Sequence, residues 1–308
     1  MRNSFVKALC EIAEYDENIY LIAGDLGYGV LTSFWEKYPE RFINAGISEQ
    51  NMSSVAAGMA LDGNTVFTYS IANFPTIRCL EQIRNDIAYH EANVKIIAVG
   101  AGFAYGSAGM SHHATEDIAI LRALPNMKVF SPADPIETAQ ITKLISKIKD
   151  PCYLRLGKGG EKALHSSNIN IEIGKAYQIR QGREVAILST GAITEEALEA
   201  CEILDKCGIG CSVYSFPTIK PIDIKCIIDA SINHQYIFTL EEHNIVGGFG
   251  SAVMEVLAEL PQHTPVIRFG LNDEYCSIVG DQKYLRDCFN ISSTKIANRI
   301  KKVVYCDK

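Results

Sequence analysis

Short runs of Ile, Val and Leu recur along the chain, separated by segments of helical periodicity. This alternation predicts an α/β fold of mainly parallel sheets with crossover helices. In the first half the runs are IYLIAG (19–24), RFINAG (41–46), NTVFTY (64–69), VKIIAVG (94–100), MKVFSP (127–132) and CYLRLG (152–157), each read as a strand with helices in the gaps. The pattern then lapses into glycines, serines and mixed polar residues, which reads as a linker over 161–182. A second series follows, with strands at EVAILST (184–190), GCSVYSF (210–216), QYIFTLEE (235–242) and PVIRFG (265–270). Its helices are predicted from Thr194, from Asp223, near 248–259 and from about 292. Two domains are expected, 1–160 and 183–308, each with a sheet flanked by helices.

Composition narrows the function classes. With 308 residues, 47% of them hydrophobic, the chain can support two cores. Its 36 acidic and 29 basic residues are mixed along the length, and no basic block marks a nucleic-acid surface, so small-molecule chemistry is favoured. Lys7, Glu11 and Glu14 interrupt the amino-terminal apolar pattern that a signal peptide needs, and no stretch offers about 20 apolar residues for a membrane span. A cytoplasmic protein with no membrane partner is expected. The ten cysteines include no CxxC pair and read as free buried thiols of a reducing compartment.

Two stretches carry most of the candidate chemistry. In FINAGISEQNMSSVAAGMALDG (42–63) Ser48 is expected to cap a helix whose first turn holds Glu49 and whose remainder, small and apolar, should be packed on every side. Residue types alone leave Glu49 either as a helix-terminal surface charge or as a carboxyl group in a crevice at the carboxyl end of a strand, where open α/β sheets bind ligands. In GAGFAYGSAGMSHHATEDIAILRALPNM (100–127) four glycines follow a strand, two histidines come next, and Thr115 is expected to cap the following helix. Such a loop can fold over a ligand. It has neither of the common glycine-rich phosphate-binding patterns. Two further stretches read more plainly: Phe74 and Ile77 as core or as flanks of a planar ligand, and EEHNIVGGFG (241–250) as a tight strand-to-helix connection.

Taken together, AGDLGYGVLTSF, FINAGISEQNM, IRCLEQIRNDIAYHEANVKIIAVGAG, SHHATEDIAILRALPNMKVFSPADPIET and EEHNIVGGFGSAVMEVL resemble, in order and over nearly the whole chain, the carboxyl-terminal half of transketolase and of deoxyxylulose-phosphate synthase. The resemblance implies a pyrimidine-binding domain, a transketolase C-terminal domain and thiamine diphosphate as cofactor. It implies that Glu49 bonds the aminopyrimidine ring nitrogen and shares the proton that activates the cofactor. Phe74 matches the aromatic that stacks on the aminopyrimidine, and Ile71 and Ile77 stand where other members place further rings. Asp25, followed by Leu26, matches the acid near the thiazolium. His112 matches the histidine that reaches the reacting oxygen of the substrate, and His113 follows it. Arg2, Lys158 and Arg155 are assigned to substrate binding, the first two to a substrate phosphate.

Ala108 stands where transketolases generally carry an aspartate for a sugar hydroxyl, which puts the usual pentose phosphates in question. The family's GDG segment with its downstream asparagine, which holds Mg2+ and the diphosphate, has no counterpart in this sequence. A two-chain enzyme is therefore expected, in which an N-terminal transketolase-like subunit supplies the Mg2+ site and the two chains form a heterotetramer acting on sugars or sugar phosphates. The rival readings are a beta subunit of a 2-oxoacid dehydrogenase and a non-catalytic partner subunit.

Overall fold

The computed structural model describes residues 1–166 and 169–306. The six runs of the first half become β1 (Ile19–Ala23), β2 (Phe42–Asn44), β3 (Thr65–Ile71), β4 (Val94–Val99), β5 (Lys128–Phe130) and β6 (Cys152–Leu156). They are parallel to one another, and β4 and β6 are buried along their whole length, the expected state of strands covered by helices on both faces. Around this sheet lie α1 (Arg2–Ala13), α2 (Thr32–Lys37), α3 (Glu49–Leu61), α4 (Leu80–Gln82, continued by a π-helical stretch Ile83–Ala88), α5 (Asp117–Ala123) and α6 (Pro135–Ile145).

The second half contributes β7 (Tyr177–Arg180), β8 (Val185–Ser189), β9 (Cys211–Ser215), β10 (Thr218–Lys220), β11 (Tyr236–Asn244) and β12 (Val266–Leu271). Its helices are α7 (Thr194–Asp205), α8 (Ile224–Asn233), α9 (Phe249–Ala258), α10 (Gln282–Cys288) and α11 (Ser293–Cys306). The second sheet runs β12-β11-β8-β9-β7, and the first runs β10-β5-β6-β4-β3-β1-β2.

Two strands depart from the sequence reading. Strand β7 lies inside the stretch read as linker and pairs antiparallel with β9; it is a short edge strand, only partly buried, so no apolar run announces it. Strand β10 leaves the second half to pair antiparallel with β5. The cysteines are all free, but Cys207, Cys288 and Cys306 are exposed rather than buried. Among the described residues no helix is long and apolar enough to cross a membrane.

In the first sheet the chain passes from β1 outward to β2 and then back to the other side of β1 for β3. This reversal opens a crevice at the carboxyl ends of the strands, the place where open parallel sheets bind ligands. The connections that leave those ends carry Asp25, Glu49, Phe74 and the glycine-rich loop with His112.

The two halves are tied by buried polar groups. Glu137 of α6 accepts hydrogen bonds from Ser215 Oγ at 2.7 Å and from the Ala133 amide at 2.5 Å, and its Oε1 lies 2.6 Å from His165 Nε2. Burial alone would push the His165 pKa down, but the hydrogen bond and charge of Glu137 prevail and it lies above its ordinary value. A histidine raised on folding stabilises the fold below about pH 6.5, its unfolded value, and that contribution is lost as pH rises through the folded value. Urea denaturation of the wild type and of His165→Gln should therefore show a stability gap that is widest near pH 6 and shrinks toward pH 9. A gap that grows with pH contradicts the pairing.

Candidate active site

Glu49 is the first residue of α3, and its carboxylate is 2% exposed, which removes the surface-charge alternative. Its Oε1 faces inward, 3.4 Å from the Ser70 hydroxyl. A Cβ on Gly24, the residue after β1, would come within 3.4 Å of the same oxygen and 3.3 Å of Cγ, a close fit that leaves a larger side chain little room there. The other oxygen, Oε2, accepts a hydrogen bond from Arg78 Nη1 at 2.7 Å.

Ser48 does not cap this helix: its hydroxyl donates back to the Ala45 carbonyl. Nor is α3 enclosed on every side. Met52, Ser53, Ala56 and Ala60 are buried, whereas Asn51, Ser54, Val55 and Gly58 form an exposed face.

Phe74 lies in the turn after β3. The Arg78 guanidinium sits over its ring, 4.5 Å from the centroid, and the His112 ring packs T-shaped against it, centroids 5.2 Å apart at 72°. His112 Nδ1 lies 3.0 Å from Ser111 Oγ, which leaves Nε2 for a ligand. The loop that carries His112 is fastened by the Asn73 amide, which donates to the carbonyls of Ser111 and His113.

Beyond His112 comes Tyr105, whose ring is 6.3 Å from that of the histidine. Lys158 Nζ lies 5.0 Å from the centre of the Tyr105 ring, and the charge of Arg2 lies near enough to act on the Tyr105 phenol. Burial pushes the Tyr105 phenol up, with Arg2 acting in the opposite direction. Arg2 opens α1, and its Nε is buried without a partner among the described residues. Pairwise contacts thus lead from Glu49 through Arg78 and Phe74 to His112, and from His112 through Tyr105 to Lys158.

Asp25 follows Gly24 in a left-handed conformation, φ 50°, and accepts hydrogen bonds from the Tyr28 hydroxyl at 2.8 Å and from Asn44 Nδ2 at 3.0 Å. These bonds, that of Asn44 first, hold its carboxyl below the usual range. Leu26, Tyr28, Trp35 and Asn44 line an adjoining cavity of about 290 Å3. Ile71 ends β3, and Ile77 is exposed beside Arg78.

Two assigned substrate ligands turn inward instead. Arg155, 2% exposed, donates from Nε to Asp117 at 2.7 Å and from Nη2 to the carbonyls of Ala114 at 2.6 Å and Glu242 at 3.0 Å. It braces the histidine loop from behind and is not available to a substrate. His113 is buried too, its ring edge-on to Phe103 and its Nε2 3.3 Å from the Gly106 carbonyl, and burial pushes its pKa down. Thr115 does not cap α5, since its hydroxyl donates to the side chain of Glu116.

Two glycines of the loop serve close packing. A Cβ on Gly102 would fall 2.5 Å from Glu242 Cγ, and one on Gly100 would fall 2.3 Å from the Tyr105 ring. Glu242 joins this loop to the second half by accepting hydrogen bonds from the Phe103 amide at 2.8 Å, from Gln282 at 3.0 Å and from Arg286 at 2.6 Å. In EEHNIVGGFG, Glu241 receives the amides of Phe249 and Gly250 at the start of α9, as a tight strand-to-helix connection requires, and burial raises its pKa to about 7.

The model of the transketolase pyrimidine binding domain matches residues 1–160, and that of the transketolase C-terminal domain matches residues 174–296. The chain belongs to the transketolase family. A protein of Methanocaldococcus jannaschii described as a transketolase C-terminal section is 37% identical over 303 residues, covering 97% of this chain and 95% of that one. One of the subunits of an apulose-4-phosphate transketolase of Phocaeicola vulgatus is 35% identical, covering 89% of this chain and 88% of its own length. A solved split gene transketolase, described as an inactive beta4 tetramer, superimposes with a TM-score of 0.88 at 37% identity, covering 98% of this chain and 96% of that one. This transketolase-family chain thus spans what split members of the family carry as a separate C-terminal section, and membership in the family implies thiamine diphosphate.

Proposed function

We propose that this chain is the C-terminal subunit of a two-chain, thiamine diphosphate-dependent transketolase that moves a two-carbon ketol unit from a ketose to an aldose. The observation that carries this reading is the contact series from the buried Glu49 carboxylate to the Arg78 guanidinium, from that to the Phe74 ring, and on to His112. The residues fit the cofactor's aminopyrimidine. A flat, nitrogen-rich cation, the Arg78 guanidinium, already stacks on Phe74 and bonds Glu49, and those are the contacts that such a ring requires.

When bound, thiamine diphosphate supplies the nucleophilic carbon that carries the two-carbon unit. Glu49 holds a proton between Oε2 and the pyrimidine ring nitrogen, in a place that excludes bulk water. Phe74 orients the ring. His112 Nε2 donates a hydrogen bond to the substrate's reacting oxygen and stabilises the charge that develops there. Arg2 and Lys158, placed around Tyr105, take a terminal phosphate on the sugar; the relative named for apulose-4-phosphate supports a phosphorylated substrate.

The diphosphate and Mg2+ are assigned to a partner chain, because the GDG segment has no counterpart in this sequence. The exposed face of α3, with Val55 and the nearby Ile47 and Leu61, supplies apolar surface for that assembly. The solved relative described as inactive supports dependence on a second chain. The purified chain with thiamine diphosphate, Mg2+ and a panel of ketose phosphates should show no ketol transfer until an N-terminal transketolase subunit is added. Turnover by the chain alone overturns the two-chain reading, and cofactor binding by the pair without turnover favours a non-catalytic role.

A further inference from the structure

The geometry points to Arg78 as a latch on the pyrimidine pocket: its guanidinium and an aminopyrimidine ring compete for the same carboxylate oxygen and the same aromatic face, so the cofactor enters only as Arg78 leaves. The inference rests on the thiamine reading above and goes beyond it. Glu49 has one oxygen to offer. Oε1 lies on the inner side, 3.4 Å from the Ser70 hydroxyl, and Oε2 is the one that Arg78 takes at 2.7 Å.

Phe74 is similarly engaged. His112 packs T-shaped against it, and Arg78 sits over the ring at 4.5 Å. A guanidinium suits this place because it is planar, stacks on aromatic faces and donates directional hydrogen bonds to carboxylate. It is also able to leave. The Arg78 side chain is 44% exposed while Glu49 is 2% exposed, so rotating the arginine outward returns its charge to water without unpacking the core. Until something replaces it, the buried carboxylate keeps its counter-charge. Such a latch lowers apparent affinity by the fraction of time it is closed.

The test uses the purified chain and 4-amino-5-hydroxymethyl-2-methylpyrimidine, the pyrimidine half of the cofactor, with binding followed by calorimetry and ligand-observed NMR. Arg78→Met should bind this probe about tenfold more tightly than the wild type, the gain from a pocket that had been open about one tenth of the time. Arg78→Lys, which keeps the charge but loses the flat stacking fork, should fall between the two. Circular dichroism spectra matching the wild type confirm that each variant is folded. Affinity in Arg78→Met that is equal to or weaker than that of the wild type, or no binding by any of these chains, overturns the latch. Glu49→Gln separates the two claims. If it weakens probe binding while Arg78→Met does not strengthen it, only the latch falls. If the probe binds and neither change alters its affinity, the thiamine assignment falls as well.

Discussion

Glu49→Ala should lower ketol transfer by the reconstituted pair by about 10²–10⁴-fold, the range for a group that positions or shares a proton in the transition state. The fold should survive. Glu49 is buried, but its charged partner is Arg78, which is 44% exposed and turns into solvent when the carboxylate is gone. No charge is then stranded in the interior, in contrast to a pair buried at both ends. The replacement methyl faces the small groups that already surround this site, Gly24 and Ser70. The check is turnover together with the denaturation midpoint of the same variant. Near-normal turnover rejects the role given to Glu49, and a collapse of the midpoint means that the carboxylate is structural.

The site was legible where its signal is local. Glu49 stands in the first turn of its helix, Phe74 in the turn after a strand, and His112 at the end of a glycine-rich loop; in each case a short motif fixes the side chain's place at the carboxyl end of the sheet. Arg78 escaped because nothing in TIRCLEQ or its flanks shows that its guanidinium reaches across 29 positions to Glu49. Tyr105 and Asn73 escaped for the same reason, since their partners lie on other connections. The strands that were found are apolar and continuous, as buried parallel strands are, whereas β7 is polar, short and at an edge. Ser48 and Thr115 show the limit of cap prediction: the residue type was right for a cap, but each hydroxyl found a nearer acceptor, Ala45 O and Glu116 Oε1.

Arg155, assigned to substrate binding, lies paired in the interior, and its sequence carried a warning. It sits in CYLRL, a run in which every other residue is fit for the core, and a lone arginine in such a strand is most often paired inside. Replacing it by methionine should destabilise the protein by about 3–5 kcal/mol, the cost of breaking a buried ion pair from one side. Both members are at most 2% exposed. Asp117 would keep only the Tyr153 hydroxyl, at 2.5 Å, because its Oδ1 already has no partner among the described residues. The carbonyls of Ala114 and Glu242 would lose their donor at the same time.

Arg155→Lys should recover only part of this loss, because one ammonium cannot present the fork that reaches three acceptors. Adding Asp117→Asn to Arg155→Met should restore more, since it removes the stranded charge. Guanidinium denaturation of the four proteins decides the matter, and a single variant as stable as the wild type would show that the pair is not holding this loop. Because Ala114 follows the two histidines directly, the single variant should also release the loop and lower turnover of the reconstituted pair. A substrate ligand would instead raise KM and leave the denaturation midpoint where it was.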